Sequence, residues 1–457
     1  MNYLFKAVLT EKGWQENVRI TVDGSGTITK ICPDAAGGNA EYIHGYALPG
    51  FQNAHSHAFQ YAMCGLAECF SPGNTPGNFW SWRDAMYRVA LAISPEQMEN
   101  IAAMLYAEML KNGYTSVAEF HYVHHDVSGK PYGNLSEMGE RLVAAAERAG
   151  IRITLLPVFY CKGGFGKAAN IMQRRFISAS YQDYLQLFDA SSVSVKYYRN
   201  ASIGAAAHSL RAVEERDLIA ASLLSAVYPF HLHISEQQQE IEDCIAYYGQ
   251  RPVEWLYNHV EVNENFHLIH ATHLNDDEVK AVASSKAHVV LCPSTEGNLG
   301  DGRFRLKDFR NRKGRWSIGS DSQIGLGYLE ELRILDYAQR VHSHRRDTFV
   351  TETSGNSGFN ALEESWFGGK KAMGTPIADT FFEVGTPLDA VVFDANWPLL
   401  ATASEKNRCN TIVYSAQQRH ILGTMSDGKW VVKDGIHFSE EEINRLFVRS
   451  LHEINMR

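Results

Sequence analysis

Several features that would restrict the function of this protein are missing from its 457-residue sequence. The chain has no basic excess, since 43 lysines and arginines stand against 52 aspartates and glutamates and leave a net charge of -9. This balance argues against nucleic acid and anionic membranes as partners, although it leaves room for a local cationic pocket that binds an acidic substrate. The sequence also lacks an apolar run of membrane-spanning length, and its first residues lack the long apolar stretch of a secretory signal. We therefore expect a cytoplasmic protein.

Cysteine is scarce and irregularly placed. The seven cysteines are odd in number and form no C-x-x-C pair: Cys32, Cys64, Cys69, Cys161, Cys244, Cys292 and Cys409. Such a set does not make a disulfide framework, so we expect reduced thiols, most of them buried as small hydrophobic side chains. Hydrophobic residues make up 45% of the chain, which suffices for one large domain and a smaller one.

Strand and helix patterns alternate through the central part of the chain. Helices are predicted after Ser94, which begins a capping box with Gln97, and over 137–148 and 218–227. Candidate strands that follow the one ending at His55 lie at 115–122, 151–160, 193–198, 230–235, 266–272, 288–292 and 316–321. Eight such units favour an α/β fold, a (β/α)8 barrel. An open doubly wound sheet is the alternative, but no glycine-rich phosphate loop follows the first strand.

Short strand patterns at both ends of the chain predict a second, smaller domain. Alternating residues within 1–45 are followed, after the barrel, by apolar runs at 388–394, 411–414 and 429–433. We expect residues 1–46 and 376–438 to form a small β domain around a catalytic barrel of residues 47–375. A final helix is expected within 439–457, over about 439–451.

His55 and His57 are the first candidates for a metal site. Because side chains alternate along a strand, histidines at i and i+2 leave on the same face. Two neutral imidazoles suit Zn²⁺, Fe²⁺ or Ni²⁺ better than Mg²⁺ or Ca²⁺, which prefer oxygen. A buried strand histidine beside a solvated one explains an isolated pair as often as a metal does, so other segments must decide.

Other predicted strands also end in ionisable residues. In a (β/α)8 barrel the carboxyl ends of the strands meet at the active face, where His233, His270 and Asp321 would join His55 and His57. Three imidazoles and a carboxylate can form a mononuclear site with room for water, whose pKa falls to about 7 on Zn²⁺. Taken alone, an Asp after a strand is more often a helix cap, but the combination predicts a metal centre.

The residues around these positions resemble the formimidoylglutamate deiminases of histidine degradation, within the deaminase branch of the amidohydrolase superfamily. The resemblance runs from the N-terminal strands to the final helix. The segments that carry it are His55-Ser56-His57-Ala58-Phe59-Gln60, Phe79-Trp80-Ser81-Trp82-Arg83, Glu119-Phe120-His121-Tyr122, His208-Ser209-Leu210-Arg211-Ala212-Val213, His270-Ala271-Thr272-His273 and 294–302.

The resemblance implies one zinc ion per chain and assigns roles to the candidate residues. It implies that the ion is bound by four residues, His55, His57, His233 and Asp321. Glu236 and His270 would act in proton transfer, and Asp321 would also serve as the base. His231 and His273 do not match the family positions. Lys196 could be proposed as a carboxylated bridge between two metals, but the deaminase branch is mononuclear.

The implied substrate is N-formimidoyl-L-glutamate, which hydrolysis converts to N-formyl-L-glutamate and ammonia. Water activated by zinc would attack the formimidoyl carbon, and Glu236 would pass a proton to the leaving nitrogen. Arg83 and Arg211 can bind the two carboxylates in bidentate fashion, with supporting contacts from Gln60, Tyr122 and His208. Arg83 could instead stack on a neighbouring tryptophan, Trp80 or Trp82, and Arg211 could be a surface residue at a helix start.

Two other functions stay open at this point. A related deaminase could act on a purine or a guanidino compound, which would favour an apolar, aromatic pocket over an arginine pair. A catalytically silent binding protein should lack a metal ligand, and none is missing from the sequence. The resemblance also leads us to expect a homodimer whose binding partner is a small dicarboxylate.

Overall fold

The computed structural model describes residues 1–35, 38–68, 79–375 and 380–454. Its strands in chain order are β1 (Asn2–Thr10), β2 (Gly13–Val22), β3 (Ile28–Cys32), β4 (Glu41–Pro49), β5 (Phe51–Ser56), β6 (Tyr114–His121), β7 (Arg152–Phe159), β8 (Lys162–Gly164), β9 (Lys167–Ala168), β10 (Ala201–Ile203), β11 (Ala205–Ser209), β12 (Phe230–Ile234), β13 (Phe266–His270), β14 (His288–Leu291), β15 (Arg315–Ile318), β16 (Ala390–Asp394), β17 (Ile421–Ser426), β18 (Lys429–Lys433) and β19 (Ile436–His437). The α-helices are α1 (Phe79–Ala92), α2 (Pro95–Lys111), α3 (Glu137–Ala149), α4 (Tyr181–Ser194), α5 (Glu215–Ser222), α6 (Gln238–Tyr248), α7 (Pro252–His259), α8 (Asp276–Ser285), α9 (Pro293–Leu299), α10 (Leu306–Asn311), α11 (Tyr328–Ser343), α12 (Ser357–Ala372), α13 (Pro398–Ala401), α14 (Glu405–Ser415) and α15 (Glu440–Ile454).

A parallel barrel forms the centre of the molecule. Its strands are neighbours in the order β5, β6, β7, β11, β12, β13, β14 and β15, and short β10 pairs with β7. Backbone hydrogen bonds close the ring, because the amides of Ser320 and Asp321 donate to the His55 carbonyl (3.0 Å each) and the His57 amide donates to the Asp321 carbonyl (3.2 Å). The (β/α)8 prediction is confirmed, and the open-sheet alternative is wrong.

The barrel strands are buried because helices cover their outer face. Every residue of β6, β12 and β13 is buried, as expected for strands enclosed on both faces. The predicted capping box at the start of α2 is confirmed, since Ser94 Oγ accepts from the Gln97 amide (3.2 Å) and Gln97 Oε1 accepts from the Ser94 amide (3.0 Å).

The two ends of the chain share a second sheet. Its order is β19-β18-β17-β16-β4-β1-β2-β3, and β16 joins the halves by pairing antiparallel to β4. Arg152 at the start of β7 ties this sheet to the barrel through ion pairs with Asp389 (Nε to Oδ2, 2.6 Å) and with Asp427. A small β unit built from both chain ends is therefore confirmed, whereas its boundaries at 46, 376 and 438 stay a prediction.

The predicted fourth barrel strand at 193–198 is wrong. Val193 and Ser194 end α4, and a 3-10 turn follows over Val195–Tyr197. The fourth barrel strand is β11, whose Ala205-Ala206-Ala207 run has no β-branched residue to indicate a strand. Burial between β7 and β12 overrides that weak propensity. Lys196 is exposed and precedes β10, which pairs with the start of β7, so it lies away from the carboxyl ends of the barrel strands and cannot bridge metals there.

Two further boundaries differ from the sequence prediction. Residues 411–414 form the end of α14 and not a strand, because the apolar Ile412 and Val413 face inward from a helix. The carbonyl of Val413 accepts a hydrogen bond from Arg333 of α11 (2.9 Å). The predicted helix at 218–227 begins earlier, at Glu215, and its second half is a 3-10 turn. The final helix is confirmed as α15.

A row of three buried histidines crosses the barrel below the predicted site. His231, His267 and His288 lie on adjacent strands in register, and their rings contact one another at centroid distances of 4.6 and 5.1 Å. His231 Nε2 donates to the carbonyl of Ala372 at the end of α12 (3.0 Å). Burial lowers the pKa of His231 to about 4 and that of His288 to about 3.

Two remaining features of the described residues are the state of the cysteines and the length of the helices. The six cysteines within the described ranges are free thiols, and Cys69 lies outside those ranges. In the described part of the chain, none of the helices is both long and apolar enough to cross a membrane.

Candidate active site

The predicted metal ligands meet at the carboxyl end of the barrel. His55 lies near the end of β5, His57 just beyond it, His233 near the end of β12, and Asp321 three residues after β15. The backbone of Asp321 is left-handed (φ +49°), as is that of His270 (φ +67°) at the end of β13. Such conformations are strained for residues other than glycine, and they cluster at functional sites.

Four donor atoms of these ligands surround one point. Nε2 of His55 lies 3.1 Å from Nε2 of His57 and 3.1 Å from Nε2 of His233. Oδ1 of Asp321 lies 3.3 Å from His55 Nε2 and 3.2 Å from His57 Nε2. All four ligand atoms lie within 4.8 Å of one another, and all four residues are buried. Tetrahedral zinc with bonds of about 2.0–2.1 Å would hold its ligand atoms about 3.4 Å apart, which is close to these separations.

Hydrogen bonds on the far side of two rings determine which nitrogens face the centre with a lone pair. Nδ1 of His57 donates to the Phe120 carbonyl (2.9 Å), and Nδ1 of His233 donates to the His208 carbonyl (3.0 Å). In the neutral rings both Nε2 atoms are therefore unprotonated and face each other beside a carboxylate. These lone pairs and the carboxylate would stabilise a cation at the point they surround, so the residues present fit a bound metal ion.

Three of the ligands are also in the protonation states that metal binding requires. Burial, together with the neighbouring His57, lowers the pKa of His55 to about 3, and burial holds the pKa of His233 well below its usual value. Burial alone would raise the pKa of Asp321, but the adjacent His55 and His57 side chains hold it well below the ordinary range. His55 and His233 are thus neutral imidazoles, and Asp321 is an ionised carboxylate.

His270 and Glu236 lie beside this cluster. Nε2 of His270 lies 3.7 Å from Glu236 Oε1 and 3.8 Å from Asp321 Oδ2. Its Nδ1 lies 3.3 Å from Oε1 of Glu296, which also accepts from the Cys292 amide (2.9 Å). Burial alone would lower the pKa of His270, but the surrounding carboxylates, Glu236 first, raise it to about 10.

The other predicted site residues line one small cavity. Its lining includes Gln60, Arg83, Tyr122, His208 and Arg211, together with Glu236, His270 and three of the four metal-ligand candidates, His57, His233 and Asp321. Gln60 Nε2 donates to the Tyr122 hydroxyl (2.9 Å), and the His208 ring packs 5.6 Å from that of Tyr122. A larger cavity of about 280 Å³ lies at the opposite end of the barrel and is lined by none of these residues.

The two arginines form the cationic side of this cavity. The guanidinium of Arg83 lies over the Tyr87 ring (5.5 Å to its centroid), while the Trp80 side chain lies outside the described part of the chain. Arg211 follows β11, and its side chain is only 15% exposed, so it is not a surface residue. Both arginines also line an adjoining outer chamber of about 390 Å³.

Several residues of the site were missed by the sequence reasoning. Tyr160 lies just beyond β7 and lines the cavity, and it could have been found because the sequence places it at a predicted strand end. Glu119 was noted only within a motif, yet its carboxylate accepts from Ser56 Oγ (2.7 Å) and the Ala58 amide (2.6 Å), which fixes the turn around His57. Glu240 contacts Arg211, and its position four residues after Glu236 is the signal for it.

Family models match almost the whole chain. The model described as "Amidohydrolase family" matches residues 46–431. The model described as "Formimidoylglutamate deiminase HutF, N-terminal domain" matches residues 5–45. The junction between the two matches coincides with β4, the strand that precedes the barrel.

Three proteins show how far the similarity extends. A formimidoylglutamate deiminase of Pseudomonas aeruginosa is 44% identical over 453 residues, which covers 98% of each chain. The crystal structure of an amidohydrolase from Brucella melitensis superposes with a TM-score of 0.94 at 40% identity, covering 99% of each chain. An adenosine deaminase from Xanthomonas campestris with bound zinc superposes with a TM-score of 0.81 at 20% identity, over 100% of this chain and 98% of that one.

Proposed function

We propose that this protein hydrolyses N-formimidoyl-L-glutamate to N-formyl-L-glutamate and ammonia. The chain belongs to the amidohydrolase family and within it to the formimidoylglutamate deiminases. The enzyme is a hydrolase that acts on carbon–nitrogen bonds, and its substrate places it in histidine degradation.

One observation carries the assignment of this reaction to the site. A metal-binding cluster, two proton-handling side chains and two guanidinium groups line a single small cavity. The substrate has the matching parts, an amidine to be hydrolysed and two carboxylates to be held. A purine would need a more apolar pocket and has no carboxylate for the two guanidinium groups to bind.

We assign the metal position to zinc held by four residues, His55, His57, His233 and Asp321. The tetrahedral spacing of their donor atoms and the three imidazoles support zinc, as does the zinc bound in the related fold from Xanthomonas campestris. When bound, such an ion acts as a Lewis acid that makes water nucleophilic near neutral pH.

Three side chains of this site handle the protons. Asp321 takes a proton from the attacking water at Oδ2, the oxygen that faces His270. Glu236 takes up the second proton of the water and delivers it to the leaving nitrogen from Oε1, which also faces His270, and Asp321 returns the first, so that ammonia departs. His270 donates a hydrogen bond from Nε2 to the oxygen that the water adds to the formimidoyl carbon. Glu296 holds the other ring nitrogen of His270 and fixes its orientation.

Arg83 and Arg211 bind the carboxylates of the substrate. A charge-assisted hydrogen bond contributes roughly 1.5–3 kcal/mol, so two guanidinium groups can account for selectivity toward a dicarboxylate. Tyr122, Gln60 and His208 form the polar wall between these arginines and the metal cluster. That wall orients the amidine while the carboxylates stay at the cationic end.

The test combines metal analysis with an ammonia assay. The purified protein is expected to contain about one zinc per chain and to release ammonia from N-formimidoyl-L-glutamate in preference to adenosine and N-guanidino-L-glutarate. Ammonia release from adenosine alone would replace this function with purine deamination. Turnover that survives complete and verified removal of metal would refute the metal-dependent site.

Two expectations from the sequence stay predictions. We propose a homodimer, which light scattering of the purified protein would detect as a mass near twice 51.2 kDa. We also propose a cytoplasmic location, and fractionation of the source cells would test it.

A further inference from the structure

Three charged side chains form an array behind the substrate cavity. Arg211 contacts Glu236 on one side (Nη2 to Oε2, 3.5 Å) and Glu240 on the other (Nη1 to Oε2, 3.4 Å). The same Glu240 oxygen accepts a hydrogen bond from the backbone amide of Glu236 (3.1 Å). Glu240 therefore touches both the arginine proposed to bind substrate and the chain segment that carries the proposed proton donor.

Glu240 approaches Arg211 from the side away from the metal cluster. It lies in the first turn of α6, is 4% exposed, and lines the outer chamber but not the inner cavity. Burial raises the pKa of this carboxyl, and Arg211 and the hydrogen bond from the Glu236 amide oppose that shift. Since it does not line the substrate cavity, any effect on the reaction must pass through Arg211 or Glu236.

We propose that Glu240 is a positioning residue that keeps Arg211 available for a substrate carboxylate and prevents it from forming a close ion pair with Glu236. This inference rests on the proposed function. The ion pairs of Arg211 with Glu236 and Glu240 are long compared with the 2.7–2.9 Å of a tight charge-assisted bond, which is consistent with a guanidinium shared between two carboxylates. A shared guanidinium can turn toward an incoming carboxylate without breaking a tight pair.

Loss of the Glu240 charge would change this balance. Arg211 would then move toward Glu236 and form a closer pair with it. The donors of Arg211 would then be occupied before substrate arrives. This effect weakens carboxylate binding specifically.

The test uses Glu240→Gln, which keeps the shape and an oxygen acceptor for the Glu236 amide but removes the charge. We expect the KM for N-formimidoyl-L-glutamate to rise at least tenfold, with a smaller fall in kcat. Glu242→Gln, on the exposed side of the same helix, is the matched control and should stay within twofold of the wild type.

Single-carboxylate substrates separate positioning from a general structural role. N-formimidoylglycine lacks the side-chain carboxylate, and N-formimidoyl-4-aminobutyrate lacks the α-carboxylate. For the analogue without the carboxylate that Arg211 holds, the effect of Glu240→Gln on KM should shrink to less than threefold. Equal losses on the dicarboxylate and on both analogues would mean that Glu240 only supports the fold, and would overturn the proposal.

Binding of the product makes the test independent of turnover. Calorimetry with N-formyl-L-glutamate should give a Kd at least tenfold weaker for Glu240→Gln than for the wild type and Glu242→Gln. An unchanged Kd overturns the inference, whereas a wild-type protein that binds but does not release ammonia overturns the proposed function. If Glu240→Gln does not fold, Glu240→Asp keeps the charge and should bind within threefold of the wild type. A tenfold loss in this variant would contradict the charge argument.

Discussion

Protonation of His288 should make the barrel sensitive to acid. This side chain is 2% exposed, and within the described structure neither of its ring nitrogens has a hydrogen-bond partner. Burial lowers its pKa from 6.5 to about 3, with further contributions from Arg315 and Lys371. The perturbation that tests this is His288→Leu, which fills a similar volume without a titratable group.

The sign and the size of the effect follow from proton linkage. Because the folded-state pKa lies below the unfolded value, stability is complete above pH 6.5 and is lost as the pH falls toward 3. Between pH 7.5 and pH 5 the unfolded state gains about 2 kcal/mol from protonation of this one histidine. The His288→Leu variant lacks that term, so its free energy of unfolding should fall by about 2 kcal/mol less than that of the wild type over this range.

The assay is reversible urea unfolding at pH 7.5 and pH 5, followed by fluorescence and circular dichroism. Other buried histidines and any bound metal affect the pH dependence of both proteins equally. The difference between the two unfolding free-energy changes therefore isolates the contribution of His288. His452→Gln, at an exposed position of α15, is the control and should follow the wild type. A difference below about 0.5 kcal/mol would mean that the His288 ring is hydrated or hydrogen-bonded, and the reasoning from burial would be wrong.

The remaining predictions concern the catalytic centre. Replacing Arg83 or Arg211 by Ala should raise the KM for N-formimidoyl-L-glutamate about 10- to 100-fold, since each guanidinium supplies charge-assisted bonds; an unchanged KM would exclude this substrate. Asp321→Asn should lose nearly all turnover, and retention of more than about a tenth of the wild-type activity would contradict its role as base. Gly319→Ala should weaken metal affinity in equilibrium dialysis, because the new Cβ would lie 2.7 Å from that of His55. An unaltered affinity would show that the neighbouring residues shift to accommodate the added methyl group. Chelation should abolish ammonia release and lower the unfolding temperature, and both should return when zinc is added back; full activity in the chelated protein would rule out a metal-dependent reaction.

The site was easier to predict from the sequence than the elements around it. His55 and His57 combine a strand position with a spacing that fixes both imidazoles on one face, so a local pattern determines the geometry. His233 and Asp321 follow from one further rule, that the strands of a parallel barrel end at a common face. Glu240 was missed because its spacing of four residues from Glu236 indicates a shared helix face but does not indicate the contact with Arg211, which comes from a different strand end.

The errors in the fold arose where tertiary packing overrides local propensity. Val193 and Val195 are β-branched, a residue type that favours strands. In the structure, however, Val193 lies in the last turn of α4 and Val195 begins a 3-10 turn. The actual strand, β11, contains three alanines, the residue with the highest helix propensity. It is a strand because β7 and β12 supply backbone partners on both sides.

The closure of the barrel at β5 and β15 also determines when in folding the candidate metal ligands come together. Asn53 Nδ2 donates to Ser320 Oγ (2.7 Å) across this junction, between residues 267 positions apart in the chain. Loop closure over such a distance is entropically costly and therefore occurs late. His55 and Asp321 lie on opposite sides of the junction, so a nascent chain has only part of the ligand set until its last barrel strand is in place. In the proposed zinc site, metal loading would therefore follow closure of the barrel, and the ion would then link the first and last barrel strands.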